Sequence, residues 1–517
     1  MAEISERAVP PSIPIFVNKP IQTPKRFTKS QIPDSIINDA ALNAAISPLP
    51  SNYNFEIHKC IWRIRTTSAK RIALQFPEGL LMHSLVIADI FTEFAGVLHC
   101  FIFGDVTYGA CCVDDLSAVA LDVDLLIHYG HSCLVPVHTT DVPCLYVFVE
   151  IKIDVGHLID TIKLNFINKN IVLAGFPRVT AETFREMKSL VEMAEEQREF
   201  VKPRNNLLWE KAQLSMKHIQ HKTHHILSST IQFVSAIREA KHELEENGIS
   251  VLVPQSRPLS AGEVLGCTAP KVFGNSKTVK NFNSENAILV FVADGRFHLE
   301  AFMIANPEIR AFRYDTFLQK LFLEDYDHRE MRESRKRAIE MARDATNWGF
   351  VLGTLGRQGS PMVLQRLEKK MKEKGFDYVL VLMSEISPGR VALFEDAVDA
   401  WIQIACPRLS IDWGEAFAKP ILTPFEVEIA LFDLPGWWER GEEEACQCGG
   451  ASEGLMEQSF GGDYPMDYYS QEGGDWNSSY MRKKPGGHLP RTIVITTAIV
   501  VAIASIAISG GDGIWRW

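Results

Sequence analysis

Short apolar runs, each followed by a turn and a helix-forming stretch, recur along the chain from about residue 68. Arg71–Phe76 reads as a compact strand, Pro77-Glu78-Gly79 as a turn and Leu80–Phe94 as an apolar helix. Gly96–Phe103, Leu125–Tyr129 and Leu145–Val149 read as further strands, and Asp154–Phe166 as a helix. Strands apolar on both faces suit a parallel sheet covered by helices. Residues 177–222 break the rhythm with charged, helix-prone sequence and then a His-rich run. His218, His221, His224 and His225 have near-helical spacing and are expected on a solvated helix rather than on a metal. The rhythm resumes with a strand over Thr230–Phe233, a helix over Val234–Glu246 and strands at Ser250–Pro254 and Ala287–Ala293. Helices are expected across 315–347. A third round follows: strand Gly349–Leu352, helix Pro361–Lys374, strand Tyr378–Met383, a helical piece over Asp396–Ala400 and strand Trp401–Ala405.

The expected fold class is therefore α/β, three similar domains with mainly parallel sheets. The expected organisation is an N-terminal extension (1–55), a first α/β domain (56–170), an insertion or connecting helical segment (171–225), a second domain (226–325), a third (326–430) and a low-complexity tail with an apolar segment (431–517). Each round carries one cysteine in the loop after a strand: Cys111 in "GDVTYGAC", Cys267 in "GEVLGC" and Cys406 in "IQIAC". Ligand sites in parallel sheets lie beyond the carboxyl ends of the strands, where such side chains can converge. Gly109, Gly266 and Pro407 mark these positions as turns rather than sheet interior. Three converging thiolates favour an iron–sulfur cluster or zinc.

Composition adds bounds. The chain has 517 residues, enough for two to four domains, and its 46% hydrophobic and 23% charged residues fit a soluble protein. A net charge of -11 gives no support to a nucleic-acid binder. Ten cysteines are too sparse for a disulfide scaffold, and Met1–Lys29 is polar and Pro-rich rather than a leader, so a reducing compartment is expected. The run from Thr492 to Ser509 approaches the length needed to span a bilayer, so membrane contact through a tail anchor is one reading; its threonines and alanines make it only mildly apolar, and a tail outside the main fold is the favoured one.

Other candidates are secondary. Cys112 beside Cys111 is expected to point elsewhere; Cys60, Cys100 and Cys144 read as structural. Cys133, His128 and His131 lie in a post-strand loop, and loop architecture is favoured over ligation. Cys446 and Cys448 fall in the tail. "GTLGRQGS", with Gly353, Gly356 and Gly359, lacks the dinucleotide spacing, but it follows a strand and opens a helix, where backbone and Arg357 can meet an anion. Arg296 in "DGRFHLE" and Arg390 in "SEISPGR" are candidates for a substrate carboxylate. No Ser–His–Asp order or HExxH motif stands out, and no catalytic group is assigned beyond the cluster ligands.

Taken together, "LPSNYNFEIHKCIWRIR" (49–65), "ALQFPEGLLM" (73–82), "FGDVTYGACCVDD" (103–115), "LLIHYGHSCLVP" (125–136), "TIQFVSAI" (230–237), "PLSAGEVLGCTAP" (258–270), "DGRFHLE" (294–300), "GTLGRQGS" (353–360), "ACPRLSIDWGEAF" (405–417) and "YPMDYY" (464–469) resemble the first-subunit family of the diphthamide-forming 2-(3-amino-3-carboxypropyl)histidine synthases. The resemblance covers roughly residues 30–170 and 226–470 and departs at the intervening segment and after about residue 480. It implies that Cys111, Cys267 and Cys406, one from each domain, hold a central [4Fe-4S] cluster, with one iron open to S-adenosylmethionine. It further implies radical transfer of the 3-amino-3-carboxypropyl group to imidazole C2 of a histidine in translation elongation factor 2. The implied partners are a related second subunit, in a cytoplasmic heterodimer, and a small iron-binding electron donor with its reductase. Two other readings stand beside it: an electron-relay or structural subunit of the same complex, and a zinc enzyme acting by polar alkyl transfer.

Overall fold

The computed structural model describes residues 32–104, 109–166, 224–273, 287–439 and 464–479. His218, His221, Cys446, Cys448 and the apolar run from 492 to 509 lie outside the described residues. Among the described residues, no helix is long and apolar enough to cross a membrane.

The strands in chain order are β1 (Tyr53–Asn54), β2 (Arg71–Gln75), β3 (His99–Phe103), β4 (Leu125–Tyr129), β5 (Cys144–Val147), β6 (Glu150–Ile151), β7 (His224–Ser229), β8 (Val251–Leu252), β9 (Ala287–Val292), β10 (Arg310–Asp315), β11 (Lys320–Glu324), β12 (Asn347–Gly353), β13 (Asp377–Met383), β14 (Ala400–Ile404) and β15 (Ile421–Leu422). They form three main sheets, ordered β3-β2-β4-β5, β11-β10-β9-β7-β8 and β13-β12-β14-β15. Every pairing within them is parallel except β10–β11. The fold is thus α/β with mainly parallel sheets.

Side-chain alternation explains why these strands are apolar throughout. In β2, Ile72 and Leu74 join Ile61, Ile64, Ile87 and Phe91 of the helices Ile57–Thr67 and Ser84–Ala95, whereas Ala73 faces the opposite layer with Val113 and Ala118. In β9, Leu289 and Phe291 face one core and Ile288, Val290 and Val292 another. In β12 and β14, Phe350 and Ile402 separate from Val351 and Trp401 in the same way. A strand buried on both faces has no polar alternation to display. The largest core joins the second and third sheets, includes Cys111 and Cys112 from the first, and packs against Cys267.

The helix Pro361–Lys374 shows how local chemistry fixes bounds. Ser360 accepts from the Val363 N–H, proline occupies the first turn, Lys372 and Lys374 sit in the last, and Gly375 ends it at φ 77°. Leu364, Leu367 and Met371 form its buried stripe.

Three expectations are corrected. Thr230–Phe233 is not a strand: β7 runs over His224–Ser229, and Ile231–Phe233 is a 3-10 turn. His224 and His225 therefore lie in the sheet, not on a solvated helix. Helix does not fill 315–347, since β10 and β11 form an antiparallel hairpin and the helix begins at His328. The Asp315 carboxylate accepts from Phe317 and Leu318 N–H, closing that hairpin with a side-chain-stabilised turn.

Candidate metal centre

Cys111 ends the turn after β3, with the Cys112 N–H donating to the Gly109 carbonyl at 2.9 Å. Cys267 lies in a tight turn in which Leu265 and Thr268 exchange backbone hydrogen bonds at 2.9 and 3.2 Å. Gly266 is required there because a Cβ would meet the Phe297 ring at 2.7 Å from Cζ. Cys406 follows β14 directly and opens the helix Arg408–Trp413.

The three thiols act on one another. Cys111 is pushed well above the ordinary thiol range, first by its hydrogen bond with Cys112, then by burial, then by the charges of Cys112, Cys267 and Cys406. Burial, followed by the charge of Cys406, pushes Cys267 up to about 12, while the Thr268 hydroxyl and Arg408 oppose the rise. Burial pushes Cys406 up to about 11 against the Arg408 backbone N–H and guanidinium. Buried thiols with raised pKa stay neutral on their own, and a cationic group among them would be needed to hold them as thiolates. The donor set is soft and sulfur-only, which suits iron–sulfur chemistry. Among the described residues, no three or more His, Cys, Asp or Glu side chains are gathered to hold a single metal ion. A multi-iron cluster, unlike one ion, is gripped by thiolates that stay apart.

Cys112 corrects the sequence reading. Its Sγ lies 4.0 Å from that of Cys111 and 4.0 Å from Gln358 Nε2, and its charge bears on Cys406. The spacing of adjacent residues hid this, because the turn at Gly109–Cys111 is not regular structure and does not alternate its side chains. Gln75 Nε2 donates to the Cys112 carbonyl at 2.7 Å, and its Oε1 accepts from Asp114 N–H at 3.2 Å. That same Oε1 pairs with His128 Nδ1 at 2.8 Å, which makes His128 Nδ1 the protonated nitrogen and leaves Nε2 to accept from His131 Nδ1 at 3.2 Å. Burial lowers both imidazoles, His131 to about 3, so the pair is neutral. Cys133 is exposed. Cys60 is fully buried, 3.8 Å from the Tyr129 hydroxyl.

The glycine loop after β12 packs against the first cysteine turn. Gly356 has φ 54°, and a Cβ there would lie 2.5 Å from the Cys112 carbonyl oxygen and 2.8 Å from its Cα. Arg357 N–H donates to the Cys111 carbonyl at 2.9 Å. Gly353 backs onto Ala405, next to Cys406, and Gly359 onto the Gly353 carbonyl. The Arg357 side chain meets the buried Asp115 at 2.7 Å and the exposed Asp141 at 2.8 Å. Arg296 meets Glu300 at 2.8 Å and Glu324 at 3.3 Å, and Arg390 meets Glu385 at 3.0 Å.

Two further groups lie in motifs that carry the resemblance but were given no role in the site from sequence. Arg408, 3% exposed, spans from Gly266 to Phe297, Glu300 and Asp412. The segment 464–479, within the stretch expected as tail, packs over the Cys267 turn. Tyr468 N–H donates to the Cys267 carbonyl at 3.3 Å, Ala269 N–H to Met466 at 2.8 Å, and the Tyr469 hydroxyl to the Gln358 carbonyl at 3.3 Å. Its signal was the unusual aromatic density of "YPMDYY" after a glycine-rich stretch.

Comparison with known proteins bears on this arrangement. The profile of the family described as "Putative diphthamide synthesis protein" matches residues 76–212 and 188–442. A 2-(3-amino-3-carboxypropyl)histidine synthase subunit 1 of Dictyostelium discoideum is 44% identical, over 87% of this chain and 78% of its own. Its counterpart in Gallus gallus is 42% identical over 90% and 93%, and that of Mus musculus 43% over 88% and 84%. Among solved structures, Dph2 from Pyrococcus horikoshii shares the fold at TM-score 0.50 and 24% identity, covering 73% of this chain and 90% of that one. A second structure of it, with a 4Fe-4S cluster, matches at TM-score 0.51 and 23% identity, over 74% and 92%. By these matches the chain belongs to the diphthamide synthesis proteins, and within that family with the subunit 1 members of the 2-(3-amino-3-carboxypropyl)histidine synthases.

Proposed function

We propose that this chain is the iron–sulfur subunit of a transferase that moves the 3-amino-3-carboxypropyl group of S-adenosylmethionine to imidazole C2 of a histidine in translation elongation factor 2, the first step of diphthamide synthesis. The observation that carries the reading is the packing of the three cysteine loops on one another: Arg357 N–H donates to the Cys111 carbonyl at 2.9 Å, Gly353 backs onto Ala405 beside Cys406, and Arg408 reaches the Gly266 carbonyl beside Cys267 at 3.4 Å. The names of the relatives point the same way.

Cys111, Cys267 and Cys406 would hold a [4Fe-4S] cluster. Bound there, the cluster supplies an electron and an iron without a protein ligand, which suits cleavage of the sulfonium's bond to the amino-acid γ-carbon. The protein's part is positioning and exclusion of water. The glycine loop of Gly353, Gly356 and Gly359 closes against Cys112 and Ala405, and the segment 464–479 covers the Cys267 turn. Arg296, Arg357 and Arg390 bring positive charge to loops after strands; Arg390, half exposed and bonded to exposed Glu385, is the one most readily re-paired with a substrate carboxylate. The chain would work in the cytoplasm as a heterodimer with a related second subunit, supplied by a small iron-binding electron donor and its reductase.

The test is anaerobic reconstitution with the second subunit, a reductant, labelled S-adenosylmethionine and elongation factor 2. Methylthioadenosine and a modified histidine are expected. Deoxyadenosine as the main product, or full transfer by a Cys267→Ala variant, would overturn the reading. A colourless, zinc-loaded active protein would do so as well.

A further inference from the structure

Arg408 is a buried cation between two of the cysteine loops. It lies two residues after Cys406, and its backbone N–H faces that thiol. Its side chain crosses to the Cys267 turn and the helix Phe297–Ala305. Nη1 donates to the Phe297 carbonyl at 2.9 Å and, more weakly, to the Gly266 carbonyl at 3.4 Å. Nη2 meets Glu300, and Nε meets Asp412 at 2.8 Å. The guanidinium carbon sits 4.4 Å above the Phe297 ring, the ring against which Gly266 packs. One planar group thus ties the loop of Cys267 to the loop of Cys406. The tie uses four donors in a rigid fork and a stacking face, which lysine does not have.

The charges around it are ordered. Asp412, Arg408, Glu300, Arg296, Glu324 and Arg313 alternate in sign along one chain of ion pairs. Arg408 lies two residues after Cys406 and reaches the carbonyl of Gly266 beside Cys267, whereas Arg357, whose backbone meets the Cys111 carbonyl, turns its guanidinium to Asp115 and Asp141. Without Arg408, Asp412 would stand near the Cys406 thiolate without its partner, and Glu300 would keep only the half-exposed Arg296.

We propose that Arg408 is a positioning residue that locks the Cys267 and Cys406 loops together and, by keeping positive charge beside those two ligands, raises the reduction potential of the cluster they would hold. This rests on the cluster reading above. A nearby cation stabilises the more negative, reduced state, so its loss lowers the potential, while loss of a neighbouring carboxylate charge raises it. A purely structural brace would not produce shifts of opposite sign.

The test uses the full chain with its second subunit, reconstituted anaerobically with iron and sulfide, as wild type, Arg408→Met, Arg408→Lys and Glu300→Gln. Iron per chain and the cluster's midpoint potential are read by absorbance during a mediated dithionite titration. Arg408→Met is expected to titrate at a lower potential than wild type, Arg408→Lys between the two, and Glu300→Gln higher than wild type. An unchanged midpoint in fully loaded Arg408→Met would overturn the proposal. If Arg408→Met does not retain iron, Glu300→Gln decides, and an unchanged or lower midpoint there overturns it. A wild-type protein that takes up no cluster would instead mark failure of the underlying cluster reading.

Discussion

Arg357 Nε lies 2.7 Å from Asp115 Oδ1, joining side chains 242 positions apart across the first and third sheets. The Asp115 carboxylate is fully buried and also accepts from the Asp141 N–H at 2.6 Å. Removing the guanidinium leaves a buried charge without its partner, a loss of roughly 3–5 kcal/mol for fully buried pairs. Arg357 is itself 24% exposed, which puts the expectation at the lower end, about 3 kcal/mol. Arg357→Met should therefore lower the denaturant midpoint clearly, and Arg357→Lys should recover only part, since lysine lacks the fork. A wild-type midpoint for Arg357→Met would show that the pair does not hold the sheets together.

Gly356 meets the Cys112 peptide so closely that no side chain fits. With φ 54° and a Cβ 2.5 Å from the Cys112 carbonyl oxygen, Gly356→Ala must move backbone rather than a flexible tip. A cost of about 1–3 kcal/mol is expected from the strained backbone. The displaced turn carries Cys111, so iron retained after desalting should fall more than overall stability does. Parallel measurement of iron per chain and thermal midpoint checks this; equal iron in both proteins would contradict it.

Glu426 is a buried acid with three kinds of partner. It pairs with Arg335 at 2.7 Å, accepts from the Tyr464 hydroxyl at 2.9 Å and completes the capping box of the helix Pro424–Leu431 with Thr423. Glu426→Ala strands Arg335, 1% exposed, and should cost about 3–5 kcal/mol. Tyr464→Phe removes a single bond to a charged acceptor and should cost about 1.5–3 kcal/mol. Urea unfolding of the two variants should preserve that order.

His225 gives the fold an acid limit. Buried in β7, its imidazole is lowered to about 4 by desolvation, below its ordinary value of 6.5. The unfolded chain therefore binds the proton first as pH falls, and stability is lost between pH 6.5 and 4 and is complete above that window. Thermal midpoints should stay level from pH 8 to 7 and drop below 6.5. His225→Leu should reduce the drop; an unchanged slope would place the acid sensitivity elsewhere.

The sequence by itself determined the elements whose local and long-range preferences agree. β4 and the helix Pro361–Lys374 occur over the predicted residues, because apolar runs flanked by turn residues, or a capped amphipathic stripe ending at glycine, leave little choice. The parallel α/β class was legible for the same reason, since strands buried on both faces carry no polar alternation. Legible too were the cysteine positions after strands, although the ligand role of Cys111, Cys267 and Cys406 remains part of the proposal. Tertiary structure decided the rest. Residues 315–324, expected as helix, are held in a hairpin with Arg310–Asp315 by the β9 edge and by the Asp315 turn. Cys112 faces the other thiols because an irregular turn, shaped by contact with Gly356, turns two adjacent side chains toward one site. Arg357, Arg408 and Tyr468 reach partners more than a hundred residues away, and no local pattern encodes such a meeting; only the packing of three sheets around one junction brings them there.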